Sequence, residues 1–119
     1  MDTLPKSERL CGRSAVSALM SKGRWGHSRA LKFCYLRNDP AEGGNRIMVS
    51  VPKRFFKRAV KRNLLKRRMR EAYRTQKALL PPCGTDILFL YNSKEIKDFQ
   101  TIKEEIAFIL STLANERQL

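Results

Sequence analysis

The chain has 119 residues, 42% hydrophobic and 30% charged, with 25 Lys and Arg against 11 Asp and Glu, a formal net charge of +14. That length suits one domain with an ordinary core, and the apolar content argues against disorder. No run of about 18 apolar residues is present, which excludes a membrane-spanning helix. Met1 to Arg9 leads into no apolar signal core, so no export is expected and the cytoplasm is the expected compartment. Cys11, Cys34 and Cys83 show no C-x-x-C spacing and are joined by one histidine, His27. Reduced thiols fit that pattern better than a zinc site.

In chain order, residues 1–11 carry turn and polar signals and read as a loose N-terminal arm on a single domain spanning 1–119. Ser14 is placed to cap a short helix running to Lys22, with Gly23 as its stop. Val16, Leu19 and Met20 give that helix an apolar stripe. Arg24-Trp25-Gly26-His27 reads either as an RNA-touching segment or as a loop with one packed Trp. Leu31 to Arg37 alternates as a strand, with Leu31, Phe33 and Tyr35 on one face. Arg46 to Val51 is a second strand, with Ile47, Val49 and Val51 on one side. A turn-rich connection through Asn38-Asp39-Pro40 and Gly43-Gly44-Asn45 suggests that the two pair antiparallel.

Pro52 ends that strand, and a helix is predicted from Arg58 to Lys77. Pro81-Pro82 stops it, and Asp86 to Tyr91, apolar almost throughout, reads as a central strand covered on both faces. The last helix starts between Asp98 and Thr101, where Thr101-x-x-Glu104 fits a capping box. Phe99, Ile102, Ile106, Ile109, Leu110 and Leu113 form its buried stripe. The predicted class is α+β: helices on a small mixed sheet.

Charge concentrates in the middle helix. From Pro52 to Lys77 there are 12 Lys and Arg and one acid, Glu71, which is +11 of the chain's +14. With Val60 at zero and roughly 100° per residue, Leu64, Leu65, Met69 and Ala72 fall between roughly 40° and 180°. Arg62, Lys66, Arg67, Arg70, Arg74 and Lys77 fall on the other side with Asn63, between roughly 200° and 340°. Lys61 and Arg68 project into the apolar arc and are expected to snorkel at its edge. Tyr73, at the border, is expected to pack on the sheet rather than stack a base.

A solvated face is the ordinary meaning of a charge run. Arg62, Lys66, Arg70 and Arg74, however, form a like-charged i, i+4 ladder, and each step costs a few tenths of a kcal/mol in isolation. A polyanion that neutralises the ladder explains it. Arginine suits bidentate phosphate contacts. Asn63 can read a base edge or a 2′-hydroxyl, though taken alone it is better read as a surface filler.

Ala59-Val60-x-Arg62-Asn63-x-x-Lys66-Arg67-x-x-Arg70-Glu71-x-x-Arg74, preceded by Ser50-Val51-Pro52-Lys53, resembles the Arg-Asn-Arg region of the bacterial ribonuclease P protein component. The resemblance covers nearly the whole chain in length and element order, and the basic helix is its specific part. It implies a four-stranded mixed sheet with three helices in the order α-β-β-β-α-β-α and a left-handed βαβ crossover. It also implies partners, ribonuclease P RNA and precursor tRNA, with Mg²⁺ in the RNA-containing holoenzyme and none bound by the protein alone. The RNA-binding set it suggests is Lys53, Arg54, Arg58, Arg62, Asn63, Lys66, Arg67, Arg70 and Arg74. Its cleft for the 5′ leader, between sheet and first helix, corresponds to Val16, Met20, Phe33 and Tyr35. The family usually offers two phenylalanines where Val16 and Met20 stand, so base stacking there gives way to weaker apolar contact.

A nuclease acting alone needs clustered carboxylates or paired histidines. Here the acids are scattered, and Glu104 and Glu105 point in different directions on one helix. No catalytic residue is therefore expected in the protein, which reads as an accessory subunit of a ribonucleoprotein endonuclease. The alternative is a ribosomal or other structural RNA-binding protein. A DNA-binding module ranks below it, because a strand precedes the basic helix where a helix-turn-helix needs a helix. A membrane-surface helix ranks last, and no protein partner is evident.

Overall fold

The computed structural model describes residues 8–10, 12–37, 44–80 and 84–117. Helix α1 spans Arg13–Lys22 and is followed by strands β1 (Arg24–His27), β2 (Leu31–Arg37) and β3 (Arg46–Ser50). Helix α2 (Ala59–Gln76) runs into a 3-10 turn, Lys77–Leu79, before β4 (Thr85–Tyr91) and α3 (Phe99–Arg117). This is the expected α-β-β-β-α-β-α order.

The sheet order is β1-β2-β4-β3, with β2 antiparallel to both neighbours and β3 parallel to β4. The expected direct pairing of β2 with β3 is therefore wrong, because β4 lies between them. The reason lies in β4's composition: Ile87, Leu88 and Phe89 bury side chains on both faces, so the central position falls to it. The link from β3 to its parallel neighbour runs through α2, which makes the basic helix a crossover. Residues 24–27 form an edge strand rather than a loop, and Trp25 is half exposed rather than packed.

Strand alternation separates two cores. Leu31, Phe33, Ile47, Val49, Ile87, Phe89 and Tyr91 meet Leu65, Met69 and Tyr73 of α2 and the Ile102–Leu113 stripe of α3. The Tyr73 and Phe89 rings lie 6.3 Å apart between centroids, so Tyr73 packs on the sheet as expected. On the opposite face Leu19 of α1 packs with Leu10, Cys34 and Leu88 in a smaller cluster, flanked by Val16 and Met48. Burial pushes the Cys34 thiol pKa up, and the thiol donates to Leu19 O at 3.3 Å.

Helix α1 begins after Gly12, whose φ of 96° favours glycine. Ser14 lies inside the first turn and does not cap it. Gly23 ends the helix as expected, with its N–H on Leu19 O at 2.9 Å and a φ of −71°. A glycine is needed there for space: a Cβ would sit 2.4 Å from Leu19 O and 2.5 Å from Cys34 Sγ. Of the arm expected to be loose, residues 8–10 are docked. Leu10 N donates to Ile47 O at 2.7 Å, Leu10 is buried, and Arg9 bridges Ile47 alongside β3. The rest of the expected arm, residues 1–7 and 11, lies outside the described residues.

Helix α3 is capped by Asp98, whose Oδ1 accepts from Thr101 N at 2.8 Å, so Thr101 is inside the helix and not its cap. Hydrogen bonding to Thr101 holds the Asp98 carboxyl below the usual range. A depressed folded-state pKa stabilises above the unfolded value, about 3.9, and that contribution is lost as pH falls through the folded value. Asp98→Ala should therefore lower the melting temperature at pH 7, and the gap to the parent should close as the medium is acidified below about pH 4. Melting curves across that range check it; a constant gap would contradict the cap's ionic origin. About two turns beyond Asp98, Glu105 is buried and accepts from Ala30 N at 2.8 Å and from Ser28 Oγ, tying α3 to the β1–β2 turn. Glu104 is exposed, so the two acids do diverge.

Candidate nucleic-acid interface

Helix α2 buries Leu65, Met69, Ala72 and Tyr73 and turns its cations outward. Arg58, Asn63, Arg67 and Arg70 are exposed, while Arg62, Lys66 and Arg74 are half-buried. Lys53 and Arg54 lie exposed in the turn before the helix, and the Arg54 guanidinium sits 4.8 Å over the Phe55 ring. Arg9, on the segment docked along β3, comes within electrostatic reach of Arg70. Burial first, then Arg9's charge, lowers the Arg70 pKa, although a guanidinium remains charged at neutral pH.

The like-charged ladder is divided in its use. Arg62 Nη1 donates to Phe56 O and Lys57 O, both at 2.8 Å, and so pins the loop that leads into α2. Arg74 pairs with Glu71 through Nη2, with Nε at 3.2 Å from both carboxylate oxygens. That hydrogen bond holds the Glu71 carboxyl below its usual range. Lys77, at the end of the row, pairs with Glu8 at 3.0 Å. Lys66, Arg67, Arg70 and Asn63 make no hydrogen bond or ion pair among the described residues. They form the part of the row left for a partner. Of the two cations in the apolar arc, Arg68 does more than snorkel: its Nη1 donates to Lys97 O at 2.6 Å and joins α2 to the loop before α3. Lys61 is exposed.

The four residues suggested for a leader cleft are not brought together. Phe33 and Tyr35, stacked with ring centroids 6.3 Å apart, belong to the face covered by α2 and α3. Val16 and Met20 belong to α1, on the other face. Cys34 and Leu36, not Tyr35, are the β2 residues on the α1 side. The register Trp25↔Cys34 places Trp25 on the α1 side too, while Gly26 lies against the Phe33 ring. The indole is 49% exposed and Met20 48% exposed.

A helix with one face locked into the core and a row of cations on the other is the arrangement the sequence motif implied. The Ribonuclease P family model matches residues 4–114. The chain belongs to the ribonuclease P protein family. A ribonuclease P protein component from Porphyromonas gingivalis is 35% identical over 118 residues, covering 93% of this chain and 86% of the relative. One from Chlorobaculum tepidum is 33% identical over 132 residues, covering 98% and 86%. Among solved structures, the RNase P protein from Thermotoga maritima superposes with a TM-score of 0.76 at 27% identity, over 88% of this chain and 96% of its own. An RNase P protein from Staphylococcus aureus shares the fold, with a TM-score of 0.77 at 22% identity over 91% and 96%.

As a ribonuclease P protein, the chain is a subunit of the ribonucleoprotein endonuclease that matures tRNA 5′ ends. Among the described residues no three His, Cys, Asp or Glu side chains gather as a metal site, and no helix is long and apolar enough to cross a membrane. Sequence reading missed Arg9 beside the ladder, because a docked N-terminal segment leaves no periodic signal. It also missed that Arg62 and Arg74 have partners within the fold, although Glu71 three residues before Arg74 was a usable sign.

Proposed function

We propose that this ribonuclease P protein binds the ribonuclease P RNA through the outer face of α2 and holds the 5′ leader of precursor tRNA on the α1 side of the sheet, acting in the cytoplasm. The observation that carries the reading is the group Lys66, Arg67, Arg70 and Asn63, without hydrogen bond or ion pair among the described residues, on a helix whose other face is fixed by the core. Lys53, Arg54 and Arg58 extend the cationic surface toward the start of the helix, while Arg62 and Arg74 act mainly by holding its geometry.

The described residues do not fit a Mg²⁺ cage, so the proposal leaves that ion to the phosphates of the RNA partner and gives the protein no bond-breaking step. The protein neutralises phosphate repulsion, which lets the RNA fold and hold its substrate at lower salt and metal concentrations. Leader contact adds affinity for precursor over mature tRNA. Val16 and Met20 are retained as leader-side residues; Phe33 and Tyr35 serve the core.

The test is 5′ processing of precursor tRNA by ribonuclease P RNA at low Mg²⁺, with and without this chain. Stimulated cleavage at the mature 5′ end is the expected result. Cleavage unchanged by the protein, under conditions where it binds the RNA, would overturn the reading.

A further inference from the structure

Trp25, the chain's single tryptophan, is left half exposed on an edge strand, although a large indole in water is an unfavourable arrangement for the fold alone. Its surroundings are all of one sign. From Lys22 to Lys32 the chain carries Lys22, Arg24, Arg29 and Lys32, all exposed, and no acid. The strand register sets His27 opposite Lys32 on the same face as Trp25, which itself stands opposite Cys34. Charged residues on an edge strand are ordinary protection against strand pairing, but an exposed tryptophan among them is not.

We propose that Trp25 is a stacking platform for an unpaired base of the precursor's 5′ leader, with Lys32, on the same face of the sheet, neutralising a neighbouring phosphate. An exposed π-face next to cations is what single-stranded RNA requires, because every base can stack and each phosphate needs a counter-charge. A paired strand of the catalytic RNA offers no such base. Trp25 also shares the α1-side face with Val16 and Met20, where the proposed leader contact lacks an aromatic. This inference rests on the leader-binding reading and supplies its missing residue.

The sole indole is its own probe. The holoenzyme, reconstituted from this chain and ribonuclease P RNA, is titrated with precursor tRNA carrying an unstructured leader and with leaderless tRNA. Tryptophan fluorescence should be quenched by the precursor and not by leaderless tRNA. Trp25→Ala should weaken precursor binding roughly 5- to 100-fold and leave leaderless tRNA unaffected. Trp25→Phe, which keeps a smaller ring, should recover part of the loss. Unchanged precursor affinity in Trp25→Ala, an equal loss for both RNAs, or quenching by the catalytic RNA alone would each overturn the platform. If the unsubstituted chain fails to stimulate processing at all, the leader-binding reading falls first and takes the platform with it.

Discussion

Replacing Lys66, Arg67 and Arg70 together by alanine should lower affinity for ribonuclease P RNA on the order of 100-fold at 0.15 M salt. A phosphate contact contributes a slope of about −0.7 to −0.9 in log affinity against log salt, or roughly 0.6–0.7 log units at that concentration. Three contacts therefore amount to about two log units and should flatten the salt slope by about 2–3. These three cations are the right choice because none has a hydrogen bond or ion pair among the described residues, so their removal leaves no internal partner stranded. Arg62 would be a poor probe, since its loss also frees the Phe56 and Lys57 carbonyls. Filter binding across a salt series, with a thermal melt as control, measures the effect. An unchanged slope in a folded triple variant would remove α2 from the RNA interface.

Tyr73→Ala should cost about 3–5 kcal/mol, the usual range for deleting a large buried aromatic. Tyr73 is 1% exposed and packs on Phe89 of the central strand, so its removal opens a cavity where the basic helix meets the sheet. A domain of this kind has about 5–15 kcal/mol in total, so the loss is a large fraction. It should lower the melting temperature on the order of 10–20 °C. Chemical denaturation with an unchanged m-value checks the magnitude. A loss below about 1 kcal/mol would mean that α2 is held elsewhere. RNA binding should survive at low temperature and fail on warming with the fold, which separates this variant from the cation triple.

Where side-chain periodicity was long, the sequence was informative. Helix α2 was expected over residues 58–77 and observed over Ala59–Gln76, and the Ile102–Leu113 stripe of α3 is buried as expected. Strand order was not legible, since alternation shows which residues share a face but not which strands are neighbours. The same limit grouped Phe33 and Tyr35 with Val16 and Met20 of α1, from which the sheet separates them. Leu31, Phe33 and Tyr35 do share a face, yet only contacts such as Cys34 with Leu19 and Gly26 with Phe33 reveal which face α1 covers. Residues 24–27 carried no alternation at all, so β1 and its exposed Trp25 became visible only through pairing with β2. Charge counting found the ladder; it did not distinguish cations that bind backbone or Glu71 from those left outward.

The place of β4 between β2 and β3 has a bearing on synthesis. The two earlier strands have no direct pairing, and α2 packs its inner face largely on side chains that come after it, Phe89 and the α3 stripe among them. A nascent chain therefore carries its most basic segment out of the ribosome before β4 and α3, which complete the core beneath it, have been made. Its inner face is fully covered only when residues 85–113 have followed. Because non-local pairing is the slow part of folding, the ordered RNA-docking surface is among the last features to be completed.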